Sequence, residues 1–118
     1  MAVNVALIVI AAVLVLGSVA SGCGKLTRQE PIVEVLTQLG VAPARIPLLG
    51  ILQLLGATGV ILGVWAPVLG VVSALCLTLY YLGAIFAHLR IKDTAARTAP
   101  ATLLFLVALV ATVLETGR

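Results

Sequence analysis

The sequence predicts an all-α, polytopic membrane protein: a four-helix transmembrane bundle with a short amphipathic interfacial helix between spans 1 and 2. Three observations carry that prediction. Of 118 residues, 63% are hydrophobic and only 9% are charged, whereas soluble domains carry about 25% charged residues. A soluble protein of this composition, with a mean hydropathy of +1.30, would have too little polar surface to cover itself. The apolar residues also fall into four runs, each near the roughly 20 residues that cross a bilayer as a helix. Finally, the charges lie between or beyond these runs. Residues 1–118 therefore form one membrane domain, with no room for a second.

The first run, 3–21, is followed by Lys25 and Arg28 and has no basic residue before it. It is longer than the apolar core of a secretory signal, so it reads as a retained, signal-anchor-like helix. Gly17, Ser18, Ser21, Gly22 and Gly24 make its end small enough for close helix approach. Asn4 is a lone polar residue near the opposite end, read as solvated.

The connection 22–46 contains a pattern of its own at 31–39. Ile32, Val33, Leu36 and Leu39 fall on one helical face; Glu34, Thr37 and Gln38 fall on the other. Pro31 after Glu30 suits a helix start, and Gly40 suits a helix stop. The segment is expected to lie in the membrane interface. Pro43 and Pro47 then punctuate the return to the bilayer.

The second span, 47–65, carries Gly50, Gly56, Ala57, Gly59 and Gly63 for tight packing, and Gln53 is its one strongly polar side chain. Trp65 closes it at an interface, where an amphipathic ring is favoured. The turn Ala66-Pro67 is so short that the third span, 68–89, must return antiparallel. A connection with Arg90, Lys92, Asp93 and Arg97 leads to the fourth span, 100–114, opened by Pro100. That span is nearly all leucine, valine and alanine and is expected to face lipid. No solenoid-type repeat is present.

Four spans put both termini on one side. The two connections hold Lys25, Arg28, Arg45, Arg90, Lys92 and Arg97, and the opposite side has only Arg118. The excess of basic residues predicts cytoplasmic connections, with both termini outside. The net charge of +3 is thus membrane-orienting, not a nucleic-acid surface. Cys23 and Cys76 make no disulfide framework and are read as small buried apolar residues.

The residues able to carry chemistry gather toward the cytoplasmic side. The chain's one histidine, His88, ends the third span, and Tyr81 lies two turns earlier on the same face. Gln53 and Lys25 reach the same level from the other spans, and Tyr80 points about 100° away from Tyr81. Their expected meeting place is one cavity inside the bundle. His88 and Tyr81 are the catalytic candidates, because imidazole titrates near pH 6.5 and either group can act as general acid or base. Lys25, Gln53 and Tyr80 are the ligand-binding candidates. Each also has a purely structural role open to it, as topology signal, helix tie or interfacial ring. One histidine and two separated cysteines supply no metal site. All four acids lie outside or at the ends of the spans, which counts against a proton-coupled carrier.

The order of motifs resembles a known family. The first span ends Gly22-Cys23-Gly24-Lys25-Leu26-Thr27, the amphipathic segment ends Leu39-Gly40-Val41-Ala42, and the second span contains Leu49-Gly50-Ile51-Leu52-Gln53-Leu54-Leu55-Gly56-Ala57. Leu82-Gly83-Ala84, then His88-Leu89-Arg90 and Asp93, follow. These resemble the DoxX-like family of small four-span bacterial membrane proteins over nearly the whole chain, although many relatives carry Glu where this chain has Gln53. The family is named for the membrane subunit of a thiosulfate:quinone oxidoreductase, so the resemblance implies a four-span fold, a membrane location and a link to redox complexes.

Three functions fit these readings. The first is an intrabundle site for a lipophilic small molecule, a quinone or an isoprenoid-like lipid, with redox-linked or acid/base chemistry and no covalently bound cofactor. The second is a non-catalytic membrane subunit or scaffold of a redox complex, packing against a partner subunit or as a homo-oligomer. The third is a small carrier.

Overall fold

The computed structural model describes residues 5–28 and 30–117. The expected start of the first span at Val3, the solvated Asn4 and the terminal Arg118 lie outside the described residues. The chain runs α1 (Val5–Leu26), α2 (Glu30–Gln38), a single 3-10 turn (Pro43–Arg45), α3 (Ile46–Leu62), α4 (Pro67–Arg90) and α5 (Ala95–Thr116), and no strand occurs among the described residues. Helices α1, α4 and α5, and α3 together with the 3-10 turn before it (Pro43–Leu62), are each long and apolar enough to cross a membrane. The 22 residues of α1 extend about 33 Å at 1.5 Å per residue, enough for the hydrocarbon core. The protein is a multi-pass membrane protein.

The four long helices stand up-down-up-down and pack in the cyclic order α1, α3, α4, α5, with α5 closing against α1. The core between them is built from Leu14, Val60, Ala74, Leu77, Tyr81, Ala108 and Ala111. Most other large apolar side chains, such as Leu16, Leu55, Leu79 and Leu103, lie outside, where lipid solvates them.

Close approach depends on glycine at two crossings. A Cβ on Gly50 would lie 2.7 Å from the carbonyl oxygen of Gly22, so α1 and α3 touch backbone to backbone. In the α3–α4 hairpin, a Cβ on Gly63 would strike the Cα of Gly70. The hairpin turns through Val64, Trp65 and Ala66, and Trp65 is 77% exposed.

The structure moves several expected boundaries. Helix α1 continues to Leu26, which brings Lys25 into its last turn. Pro100 does not open the fourth span; α5 begins at Ala95 and carries Pro100 inside it. Thr94 is the reason, because its hydroxyl accepts the Arg97 amide and caps the helix, which therefore starts five residues before the proline. Pro100 then removes only the amide that would have bonded the Ala96 carbonyl. Cys23 and Cys76 are not buried; both face outward. The small-residue faces of their helices turn inward instead, and Cys is apolar enough to be stable against lipid.

At the loop end, α2 leaves Glu34, Thr37 and Gln38 exposed, and the following Leu39 is buried. It ends as Gly40 suggests: Gly40 sits at φ 94°, with Gly40 N–H bonded to Thr37 O and Val41 N–H to Leu36 O. Arg90 donates to the Leu39 carbonyl at 2.7 Å and Arg97 to Gln38 Oε1 at 2.9 Å, tying the two connections together.

Candidate functional site

Within the bundle, toward the loop end, five polar side chains from three helices form one hydrogen-bonded ladder. Lys25 Nζ on α1 donates to Gln53 Oε1 on α3 at 2.6 Å and to Ser21 Oγ, one turn back, at 2.7 Å. Gln53 Nε2 donates to the Tyr81 hydroxyl on α4 at 3.1 Å. The Tyr81 and Ser18 hydroxyls share a bond of 2.6 Å, which returns the ladder to α1. Ser21 closes a side loop by donating to Gln53 Oε1 at 3.3 Å. Ser18, Gln53, Tyr81 and Lys25 are all buried, Lys25 at 8% exposure.

Local sequence explains the assembly. Ser18, Ser21 and Lys25 stand at steps of three and four along α1, so they share one face. Gly22 lies between them and lets Gly50 approach, which places Gln53, one turn on, opposite Lys25. The ladder therefore forms where α1 and α3 are closest. Lysine is the unusual member. Both of its hydrogen-bond partners are neutral oxygens, and no carboxylate pairs with it among the described residues. An ammonium group inside a membrane protein normally faces a counter-charge, water or a ligand.

The sequence-predicted residues are distributed as follows. Lys25, Gln53 and Tyr81 come together. Tyr80 packs its ring edge-on to Tyr81, with centroids 5.3 Å apart and planes at 84°, and makes no hydrogen bond to a described residue. His88 does not join them, although it is buried on the same helix. Its Nδ1 pairs with Asp93 Oδ2 at 2.8 Å. The cause is local. The helix α4 ends with Lys92 at φ 53°, Lys92 N–H on Leu89 O and Asp93 N–H on His88 O, and this turn folds Asp93 back onto the helix end. Asp93 is also held by the Thr94 amide at 2.8 Å and by Arg97 at 3.2 Å. Burial pushes the Asp93 carboxyl up, but the His88 hydrogen bond, the Thr94 amide and the Arg97 charge outweigh it and keep the group below its usual value.

Two hollows lie away from the ladder. At the loop end a surface hollow is lined by Arg28, Glu30, Val33 and Glu34, on and before α2 instead of between the spans. An apolar cleft of about 220 Å³ lies at the other end of the bundle, where α1 begins and α5 ends, between α1 and the end of α3. Its floor carries Glu115.

Sequence reasoning missed Ser18 and Ser21 as ladder members, Asp93 as the partner of His88, and the burial of Glu115. The serines were detectable from their spacing with Lys25. Glu115 was detectable too, since Ala108, Ala111 and Glu115 repeat the same steps along α5 and are its buried residues. No group of three or more metal-ligating side chains occurs among the described residues.

Comparison with known proteins gives one relationship. A sequence model of the DoxX-like family matches residues 9–111. No curated protein and no solved structure is a significant match.

Proposed function

The chain belongs to the DoxX-like family, and from that footing we propose that it binds a lipophilic small molecule whose electron-rich head is held by Lys25. The observation that supports this is the lysine's bonding. An ammonium has three N–H donors and no acceptor. Two of the donors go to Ser21 and Gln53, which leaves one for a ligand and the positive charge unmatched by any described acid. A carbonyl or anionic head meets both needs, and an apolar tail suits a bundle whose outer face is largely apolar. A quinone is the class that fits best, with an isoprenoid-like lipid bearing a polar head as the near alternative. On such a head Tyr81 is the group placed for acid–base work, since the ladder joins it to Lys25 through Gln53. His88, committed to Asp93, holds the connection between α4 and α5.

The ladder also supports a second reading, a non-catalytic subunit or scaffold. Every ladder member already has a partner inside the bundle, which is what a purely structural tie between helices requires.

Thermal unfolding in maltoside micelles, with and without decylubiquinone, separates the two. Ligand binding predicts a saturable rise in Tm that is lost in Lys25→Met and kept in Lys25→Arg. The absence of any saturable rise, or an equal rise in Lys25→Met, removes the ligand reading. Co-purification of a stoichiometric partner subunit then becomes the result the scaffold reading requires.

A further inference from the structure

We infer that the corner where α4 passes into α5 binds one anionic phospholipid, its phosphodiester held by Arg90, Lys92 and Arg97 and an acyl chain laid along the outer face of α4. This corner is on the outside of the bundle, apart from the ladder, and the inference stands independently of the function proposed above. Helix α4 has 24 residues, about 36 Å at 1.5 Å per residue, against a hydrocarbon core of about 30 Å. Arg90 is charged and ends the helix, so the surplus length places it in the headgroup layer, where lipid phosphates lie.

Three cations gather there around one carboxylate. Arg90 reaches the Leu39 carbonyl and Arg97 reaches Gln38 Oε1, so the two guanidinium groups meet the end of α2 one residue apart. Lys92 lies between them in sequence, is exposed, and makes no side-chain hydrogen bond or ion pair to a described residue. Asp93 is the carboxylate; its side chain is only 4% exposed and is turned onto His88. Glu30 and Glu34 line the separate hollow with Arg28. The outward charge at the corner is therefore positive. An arginine has five N–H donors. Arg90 uses one on Leu39, and Arg97 uses two, on Asp93 and Gln38. Both keep donors for phosphate oxygens, which guanidinium groups bind bidentately.

The apolar half of the match is on α4. Leu79, Gly83, Phe86 and Arg90 stand at steps of four, three and four, on one helix face. Leu79, Phe86 and the neighbouring Leu89 are each about 60% exposed, and a Cβ on Gly83 would meet nothing within 4 Å. Among the described residues no other helix covers this face, and the glycine leaves a notch between Leu79 and Phe86. A lipid tail beneath a phosphate held at Arg90 runs along it. Clustered basic residues at the end of a membrane helix favour anionic headgroups for the same electrostatic reason.

Native mass spectrometry from maltoside micelles tests this, with an equimolar mixture of dioleoyl phosphatidylglycerol and dioleoyl phosphatidylcholine as the probe. The first lipid adduct is expected to favour phosphatidylglycerol by about fivefold or more. Arg90→Gln and Arg97→Gln would also release α2, so Lys92→Glu, at an exposed position without a side-chain partner, is the deciding variant. It should lose the preference with helical circular dichroism unchanged. Arg45→Gln, which removes an exposed loop-end cation outside the site, should keep it. Free glycerol 1-phosphate at the lipid concentration should leave the adduct in place, because it lacks the tail. Equal adducts of the two lipids in the wild type overturn the inference without recourse to any variant. A preference that persists in Lys92→Glu, or is lost equally in Arg45→Gln, overturns it too. Displacement by glycerol 1-phosphate overturns the phospholipid assignment in favour of a site for free phosphate esters.

Discussion

Replacing Tyr81 by Phe tests whether the ladder couples α1, α3 and α4. The substitution removes one oxygen and leaves the ring in the core. Two hydrogen bonds go with it, the 2.6 Å bond to Ser18 and the 3.1 Å bond from Gln53. Ser18 is 0% exposed and Gln53 is 1% exposed, so neither recovers a partner from bulk water. In a soluble core, orphaning a buried polar group costs about 1–3 kcal/mol. The membrane reference state reduces this, because helices separated in lipid also find partners; measured interhelical bonds average about 0.6 kcal/mol, with a maximum near 1.7. Two such bonds give an expected loss of about 1–2 kcal/mol for Tyr81→Phe. Ser18→Ala alone is expected to cost less, since it breaks one bond and leaves Tyr81 held by Gln53. The double variant should fall short of the sum by about 0.5 kcal/mol or more, the mark of residues in one network. Equilibrium unfolding in mixed maltoside and dodecyl sulfate micelles gives all three numbers. A loss under about 0.3 kcal/mol in Tyr81→Phe, or strict additivity with Ser18→Ala, would refute the coupling.

Three other outcomes follow from the geometry. Gly50→Ala drives a methyl to 2.7 Å from the Gly22 carbonyl and should destabilise by about 1–3 kcal/mol; Gly83→Ala, with nothing within 4 Å of its Cβ, should stabilise by up to about 1 kcal/mol, and unfolding of the pair in the same micelles checks both signs. Lys92→Gly relieves a left-handed residue at φ 53° and should gain roughly 0.5–1 kcal/mol, seen as a raised unfolding midpoint. Asp93 has a folded pKa below its usual value of 3.8, so its contribution is fully present above that value and is lost as pH falls through the lower, folded one; stability measured from neutral pH to below 3.8 should drop in the wild type more steeply than in Asp93→Asn, and parallel curves would contradict the assignment.

The class of the protein was legible from short-range information. Span number and the antiparallel α3–α4 hairpin follow from the apolar runs and from Ala66-Pro67. The amphipathic α2 follows from the 3.6-residue period of Ile32, Val33, Leu36 and Leu39, and its stop follows from Gly40. These features depend on each residue's preference for lipid or water and on backbone conformation within a few residues. Helix starts were less legible, because Pro100 outweighed Thr94 as a local signal even though only Thr94 supplies an acceptor for a helix-end amide.

The candidate site divides along the same line. That Lys25, Gln53 and Tyr81 share a level was readable from span lengths and topology. That they touch was decided by Gly22 and Gly50, where the absence of side chains lets two backbones meet. The partner of His88 was decided by the left-handed turn at Lys92, which returns Asp93 to the helix end. The setting of Glu115 was decided by Gly70, 45 positions earlier in sequence and in contact only once α4 and α5 have packed. Sequence alone determined which segments enter the membrane, since transfer free energy is summed residue by residue along the chain. Which polar groups meet inside was settled only in three dimensions, because a hydrogen bond needs two atoms within about 3 Å and helix packing sets that distance.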